Sequence, residues 1–462
     1  MTTSTTDQQN IFLSGSLATL FAKTAAPIIT VMTLNGLFTL VDAYFLGAYV
    51  SAEALTAVTL MFPIYMLLVA LSTLVSSGFS SVFARLLGAG ETTEAGRVFV
   101  QAIMLSLIVC AILVGLFLLG GDGLTRWVAN GKAILAELGY TYISISIFFS
   151  PLVFILSINI DALRGQGLLP VMTAITLMSA FLNIGFDYLF VVEFEWGVAG
   201  SAYGTVLAQA CSLSTVLAYR FSRRGGPISG IRKIDFRRDY WRTLLALGAP
   251  SSLGYIGVSL SAGLTLYCLQ LWSGTAYEPT AGAFGIITRL MTFTFLPLLG
   301  LSMAFQTIVG NNFGASDWRR SNGAIKLAIA MAAIYCVSLQ ILFFVFRREI
   351  GAIFVDDEAI ITQMVRILPL ATMLLSVFGP LMMIGSYFQA IGDAGRAAIL
   401  GLSRTYIFGL PLTFALPFMF GEPGIWYGGI VAEVLMIILT FTVLYLRSSG
   451  QRHPWGLFQP VN

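Results

Sequence analysis

The stretch LATLFAKTAAPIITVMTLNGLFTLVDAYFLGAY, Leu17–Tyr49, carries only two charged side chains, Lys23 and Asp42. A helix crossing a bilayer needs about 20 consecutive apolar residues, or nearer 30 with tilt and overhang. This run is therefore read as a membrane span with one acid embedded in it. Eleven further stretches of the same kind follow: Thr56–Leu87, Val98–Leu119, Ile134–Ile160, Leu168–Val192, Val198–Phe221, Trp241–Trp272, Ala281–Val309, Ala324–Phe346, Ile360–Ala390, Ala397–Phe420 and Ile425–Leu446. The expected fold is an all-α integral membrane protein of twelve transmembrane helices. The whole chain agrees, being 57% hydrophobic and 10% charged over 462 residues. Soluble domains carry about 25% charged residues. A soluble protein, a disordered chain and a disulfide scaffold are excluded together.

The two halves repeat. Ala26-Pro27 recurs as Ala249-Pro250, and Gly88-Ala89-Gly90 as Gly314-Ala315-Ser316. Arg164-Gly165 aligns with Ile391-Gly392, and Gly197-Val198 with Gly424-Ile425. By subtraction the offsets lie between 223 and 227 residues. Six spans per half is an even number, so both halves enter from the same side. Parallel repeats of this kind are related by an axis along the membrane normal, as in rocking transporters. The chain divides into a tail 1–16, an N-lobe 17–221, a basic loop 222–240, a C-lobe 241–446 and a tail 447–462.

Charge orients the bundle. Of 25 Lys and Arg, 19 fall on the side of the termini and the even-numbered connections, 4 on the other side, and Arg289 and Arg366 within spans. The positive-inside rule places both termini on the cytoplasmic side of the membrane. Residues 1–10 are polar and the first apolar stretch is too long for a signal-peptide core, so no cleaved signal is expected. The basic stretch Arg220–Arg242 lacks aromatic interleaving and reads as a topology-setting loop, with no nucleic-acid partner expected.

Catalytic chemistry is missing from the sequence. There is no P-loop, no HExxH and no GxSxG, and the single histidine, His453, lies in the tail. Cys110, Cys211, Cys268 and Cys336 sit singly in apolar stretches and form no metal motif. An enzyme is not expected, nor a resident cofactor or metal. Active transport would have to draw on an ion gradient.

Ionisable residues inside a membrane mark function by default. Asp42 is one. Asp187 is another, with Asn183 one turn earlier on the same helix face. Thr205 follows one helix later. Two carboxylates facing one cavity cannot both ionise cheaply, which creates a proton site. With Asn and Thr oxygens nearby, the same cluster suits a hard monovalent cation. Pro27 removes a backbone hydrogen bond from the first helix and gives it a place to bend. In the second half, Glu433 is expected to pair with Arg289, either as a structural bridge or in coupling. Arg366 is expected to snorkel to the interface.

Several stretches resemble the multidrug and toxic compound extrusion (MATE) family. They are Leu34–Gly47 with Val41-Asp42, the segment FARLLGAG at Phe83–Gly90, and Asn183-x-x-x-Asp187 followed by Gly197–Ala202 and Thr205. The second half adds Gln306–Ala315 and Phe388–Asp393. The resemblance covers nearly the whole chain. It implies two six-helix lobes in a V and export of amphipathic, often cationic compounds in exchange for Na⁺ or H⁺. It is closest to the DNA-damage-inducible (DinF-type) branch. There the implied coupling residues map onto Asp42, Asn183, Asp187 and Thr205, the bending proline onto Pro27, and cavity-lining residues onto Asn35 and Tyr142. Other branches use acids on the seventh and tenth helices, and here Trp241–Trp272 and Ile360–Ala390 contain no Asp or Glu. The expected partners are small organic substrates and membrane lipids, with the chain working as a monomer. The competing reading is a flippase for a lipid-linked substrate, which would need several intramembrane cations.

Overall fold

The computed structural model describes residues 10–222, 238–451 and 453–460, so most of the basic loop 222–240 lies outside the described residues. Among the described residues there is no strand. Nine helices are long and apolar enough to cross a membrane singly. They include α1 (Leu17–Val50), α2 (Ala52–Gly88), α3 (Thr92–Val128), α5 (Leu169–Glu193) and α7 (Trp241–Trp272). The rest are α8, whose α-helical part is Tyr277–Gly314, α9 (Trp318–Val345), α11 (Ala394–Phe420) and α12 (Pro423–Gly450). Two bent pairs each make one more span: α4 (Ala133–Phe148 and Ser150–Gly165, bent 48°) and α10 (Glu358–Thr372 and Leu375–Ala390, bent 41°). Between α5 and α7 in the chain lies α6, the 25-residue helix Gly197–Phe221, rich in Gly, Ala and Ser and less apolar than these eleven.

The breaks in α4 and α10 depart from the continuous spans read in the sequence, and each has a local cause. In α4 the second helix starts at Ser150 with Pro151 in its first turn, where a missing N–H costs nothing. In α10 the break at Met373–Leu374 is patched from α9. Gln340 Nε2 donates to the Met373 carbonyl (2.7 Å) and Gln340 Oε1 accepts from Ser376 N (2.9 Å). Freed backbone groups at membrane depth require such partners. Most helices also run several residues beyond their apolar stretch, because polar caps extend them. Ser51 accepts from Ala54 N at the start of α2, and Asp317 from Arg320 N at the start of α9.

The repeat is visible in the turns. Gly90 and Ser316, which close α2 and α8, both have positive φ (76° and 57°). Gly167 and Gly392 close the broken helices α4 and α10 in the same way (76° and 85°). The counterpart of Gly392 is thus Gly167, a correction to the alignment with Gly165. These left-handed residues end helices by returning amides to the last carbonyls, as Leu168 N does to Leu163 O and Asp393 N to Phe388 O.

The lobes touch through backbone. A Cβ on Gly78 of α2 would lie 1.9 Å from the Leu244 carbonyl oxygen of α7, and one on Gly248 would lie 1.8 Å from that of Leu74. At the helix ends the contact is reciprocal: Gly88 meets the Asn311 carbonyl and Gly314 that of Arg85, each at 1.9 Å. Gln389 Nε2 ties the same region together, donating to Ser77 (2.9 Å), Ser251 (3.1 Å) and the Leu247 carbonyl (2.6 Å). Both described termini lie at this end. Asn10 Nδ2 donates to Asn311 Oδ1 (2.7 Å), and Gln459 N to Asn322 Oδ1 (2.9 Å). A side chain cannot enter a backbone contact without separating the helices. Gly248→Val is expected to cost on the order of 3 kcal/mol and to lower the thermal midpoint by several degrees. Gly254→Val on the same helix, where nothing lies within 4 Å, is the control and should leave it in place. Equal midpoints for the two variants would refute the close crossing.

Candidate functional site

Asp187 is fully buried at the end of the regular part of α5. Asn183, one turn earlier, points the same way: its Nδ2 lies 3.1 Å from Thr205 Oγ1 on α6 and 3.4 Å from Asp187 Oδ2. A glycine makes room for the acid. A Cβ on Gly204 would sit 2.2 Å from Asp187 Oδ1. Asp42 arrives from α1 and faces Asp187. Two carboxyl groups facing each other in a dry site cannot both ionise cheaply. On each, the oxygen Oδ1 is buried and has no protein partner.

Two tyrosines stand beside the pair. They are Tyr142 of α4 and Tyr65 of α2, both in the neighbourhood of Asp42. The backbone is loosened next to both acids. The π-helical turns Leu46–Val50 and Tyr188–Glu193 follow Asp42 by four residues and Asp187 directly. Such turns recur at functional sites because they widen the helix and redirect its side chains. The four polar residues read from the sequence thus meet at one place. Tyr65, Gly204 and the π turns were not read there. Tyr65 carries no sequence signal, and Gly204 was legible only as one member of a glycine-rich run.

The donor set is hard: two carboxyls, a hydroxyl and an amide. It suits a proton or an alkali cation, and no soft ligand is present. Among the described residues no group of three or more His, Cys, Asp or Glu side chains could hold a metal ion. Pro27 lies inside α1, fifteen residues before Asp42, or about 22 Å along the helix. Asn35 is exposed two turns before Asp42 on the same face of α1.

The second-lobe pair is corrected. Glu433 forms its ion pair with Arg404, not with Arg289, which is exposed on α8. The reason is topological. α11 and α12 are antiparallel neighbours joined by a short turn, so residues at similar depth on them meet side by side. Arg404, counted with the terminal-side charges, therefore lies inside a span. Arg366 likewise does not snorkel freely: it forks onto Glu422 with contacts of 2.6 and 2.9 Å.

The MatE family description matches residues 27–189 and 251–415, one segment in each lobe. A multidrug export protein, MepA, of Staphylococcus aureus is 23% identical over 89% of this chain and 90% of its own. The MepA of Staphylococcus saprophyticus is 24% identical over 91% and 92%. Among solved structures, an outward-facing multidrug resistance MATE transporter of the MOP superfamily superposes with a TM-score of 0.86 at 23% identity. It covers 96% of this chain and 99% of its own.

Proposed function

The chain belongs to the MatE family, and on that premise we propose that this multidrug efflux transporter exports amphipathic organic cations in exchange for Na⁺ or H⁺. The observation that carries the coupling reading is the buried meeting of Asp42 and Asp187, each with an unpartnered oxygen, beside Asn183 and Thr205. A carboxylate at mid-bilayer costs about 2.5–3.5 kcal/mol, and a bound proton or Na⁺ relieves that cost. The ion drives export only by binding the two lobe arrangements with different affinity. The π turn after Asp42 and Pro27 earlier in the same helix give α1 two places to respond. Asn35 and Tyr142 line the substrate path in this reading. The membrane is the bacterial cytoplasmic membrane with both termini inside, which the excess of Lys and Arg at that end supports. Transport rather than catalysis fits relatives that are named as exporters. A flippase is less well supported, since the relatives are named as multidrug export proteins.

Inside-out vesicles carrying the wild-type protein test the coupling with rhodamine 6G. Under a proton gradient alone, then a sodium gradient alone, one of the two is expected to drive dye accumulation. Accumulation under neither would overturn the antiport reading.

A further inference from the structure

We propose that Arg404, held in place by Glu433, forms a second binding site, in the C-lobe, for the anionic head of an amphipathic organic anion such as an aryl carboxylate or sulfonate. It goes beyond the cation exchange assigned to the N-lobe and uses none of its residues.

The first argument is depth. Arg404 lies ten residues into Ala394–Phe420, and Glu433 ten residues into Pro423–Gly450. At 1.5 Å per residue each is about 15 Å from its helix start, and the two helices start at opposite ends. In a hydrocarbon layer about 30 Å thick the pair sits near the midplane, where transporters bind substrate. A lipid headgroup does not reach that depth; a free amphipath does.

The second argument is construction. Arg404 lies in the π-helical turn Ser403–Gly409, and its neighbours lock that turn to α7. Tyr406 OH donates to the Leu253 carbonyl (2.8 Å), and Thr405 Cγ2 would be 2.8 Å from a Cβ on Gly257. The guanidinium carbon stands 3.9 Å from the ring centre of Phe378 on α10. One face of the guanidinium is thus held on an aromatic ring.

The third argument is incomplete satisfaction. The Arg404 side chain keeps 42% of its surface exposed, against 11% for Glu433. A guanidinium carries five N–H donors in a fixed fork suited to carboxylate or sulfonate oxygens. Here it has a single carboxylate as its ion-pair partner, through Nη2. An ion pair in a membrane is not needed to join two helices already linked by a short turn. The repeat sharpens the point. At the repeat's offsets of 225–227 residues, Arg404 corresponds to one of Leu177–Ser179, Glu433 to one of Val206–Ala208 and Asp187 to one of Leu412–Phe414, none of them ionisable. Neither member of the Arg404–Glu433 pair has an ionisable counterpart in the N-lobe.

The test is equilibrium binding to the purified full chain, read as energy transfer from tryptophan to a dansyl group. Dansylglycine carries the carboxylate, dansylamide is its neutral counterpart, and rhodamine 6G reports the cation path. Wild type is expected to bind dansylglycine at least about tenfold more tightly than dansylamide. Arg404→Gln should abolish that preference and leave rhodamine 6G affinity unchanged. Glu433→Gln should retain or tighten dansylglycine binding, because the competing carboxylate is gone. Asp42→Asn should leave it unchanged, which separates this site from N-lobe coupling. Equal binding of the two dansyl compounds to wild type would overturn the proposal without any variant. So would equal weakening of dansylglycine and rhodamine 6G in Arg404→Gln, or loss of dansylglycine binding in Glu433→Gln, either of which marks a structural bridge.

Discussion

Asp187→Asn is expected to reduce gradient-driven dye accumulation in inside-out vesicles to background while leaving equilibrium dye binding within about threefold of wild type. Asparagine keeps the size of the side chain and the contact with Asn183, so the fold is spared. What it removes is the group that binds the ion. An ion shifts a two-state equilibrium only through its differential affinity, and inverting a 1:99 population takes about 5.5 kcal/mol. Much of that must come from the carboxyl pair, the only acids among the described residues at this site. Asp42→Asn should give the same loss, and the double variant should be no worse than either single one, because the two act as a unit. Normal pumping by both single variants would remove the N-lobe from coupling altogether.

Gly204→Ala is expected to lose driven transport nearly as completely, although it removes no functional group. The added carbon would lie 2.2 Å from Asp187 Oδ1 and 3.1 Å from Asp187 N. The carboxyl oxygen is the end that can move, so the carboxyl must swing out of its position beside Asn183. Overpacking of this kind costs about 1–3 kcal/mol, which lowers the thermal midpoint only modestly in a chain of this size. The control is Gly185→Ala on α5, where nothing lies within 4 Å of the new carbon. Driven dye uptake and thermal midpoint are measured on both. Transport retained in Gly204→Ala would mean that Asp187 has room to move, and that its packed position is not required.

The two variants probe different requirements of one site. Asp187→Asn asks whether the charge is needed, and Gly204→Ala whether its placement is. The reciprocal glycine contacts at the terminal end add a third constraint. With α2 pressed backbone to backbone on α7 and α8, any rocking of the lobes must break several short contacts together. Such an interface would favour exchange between discrete packings over smooth deformation.

The sequence by itself determined the class of protein, the twelve spans, the parallel repeat and the acids worth watching. It did so because a charge in an apolar run is conspicuous and because the bilayer fixes the length of a helix. It also placed Asn183 beside Asp187, since four residues make one helical turn. Only the tertiary structure decided which side chains meet across helices. It brought Asp42 to Asp187, seated Tyr65 and Tyr142 next to them, and paired Glu433 with Arg404 instead of Arg289. It also put the breaks of α4 and α10 at Phe149 and Met373. In a soluble helix the apolar stripe tells which face turns inward. In a membrane the lipid face and the packed face are both apolar, so that signal is lost and the rotation of each helix is set by its neighbours.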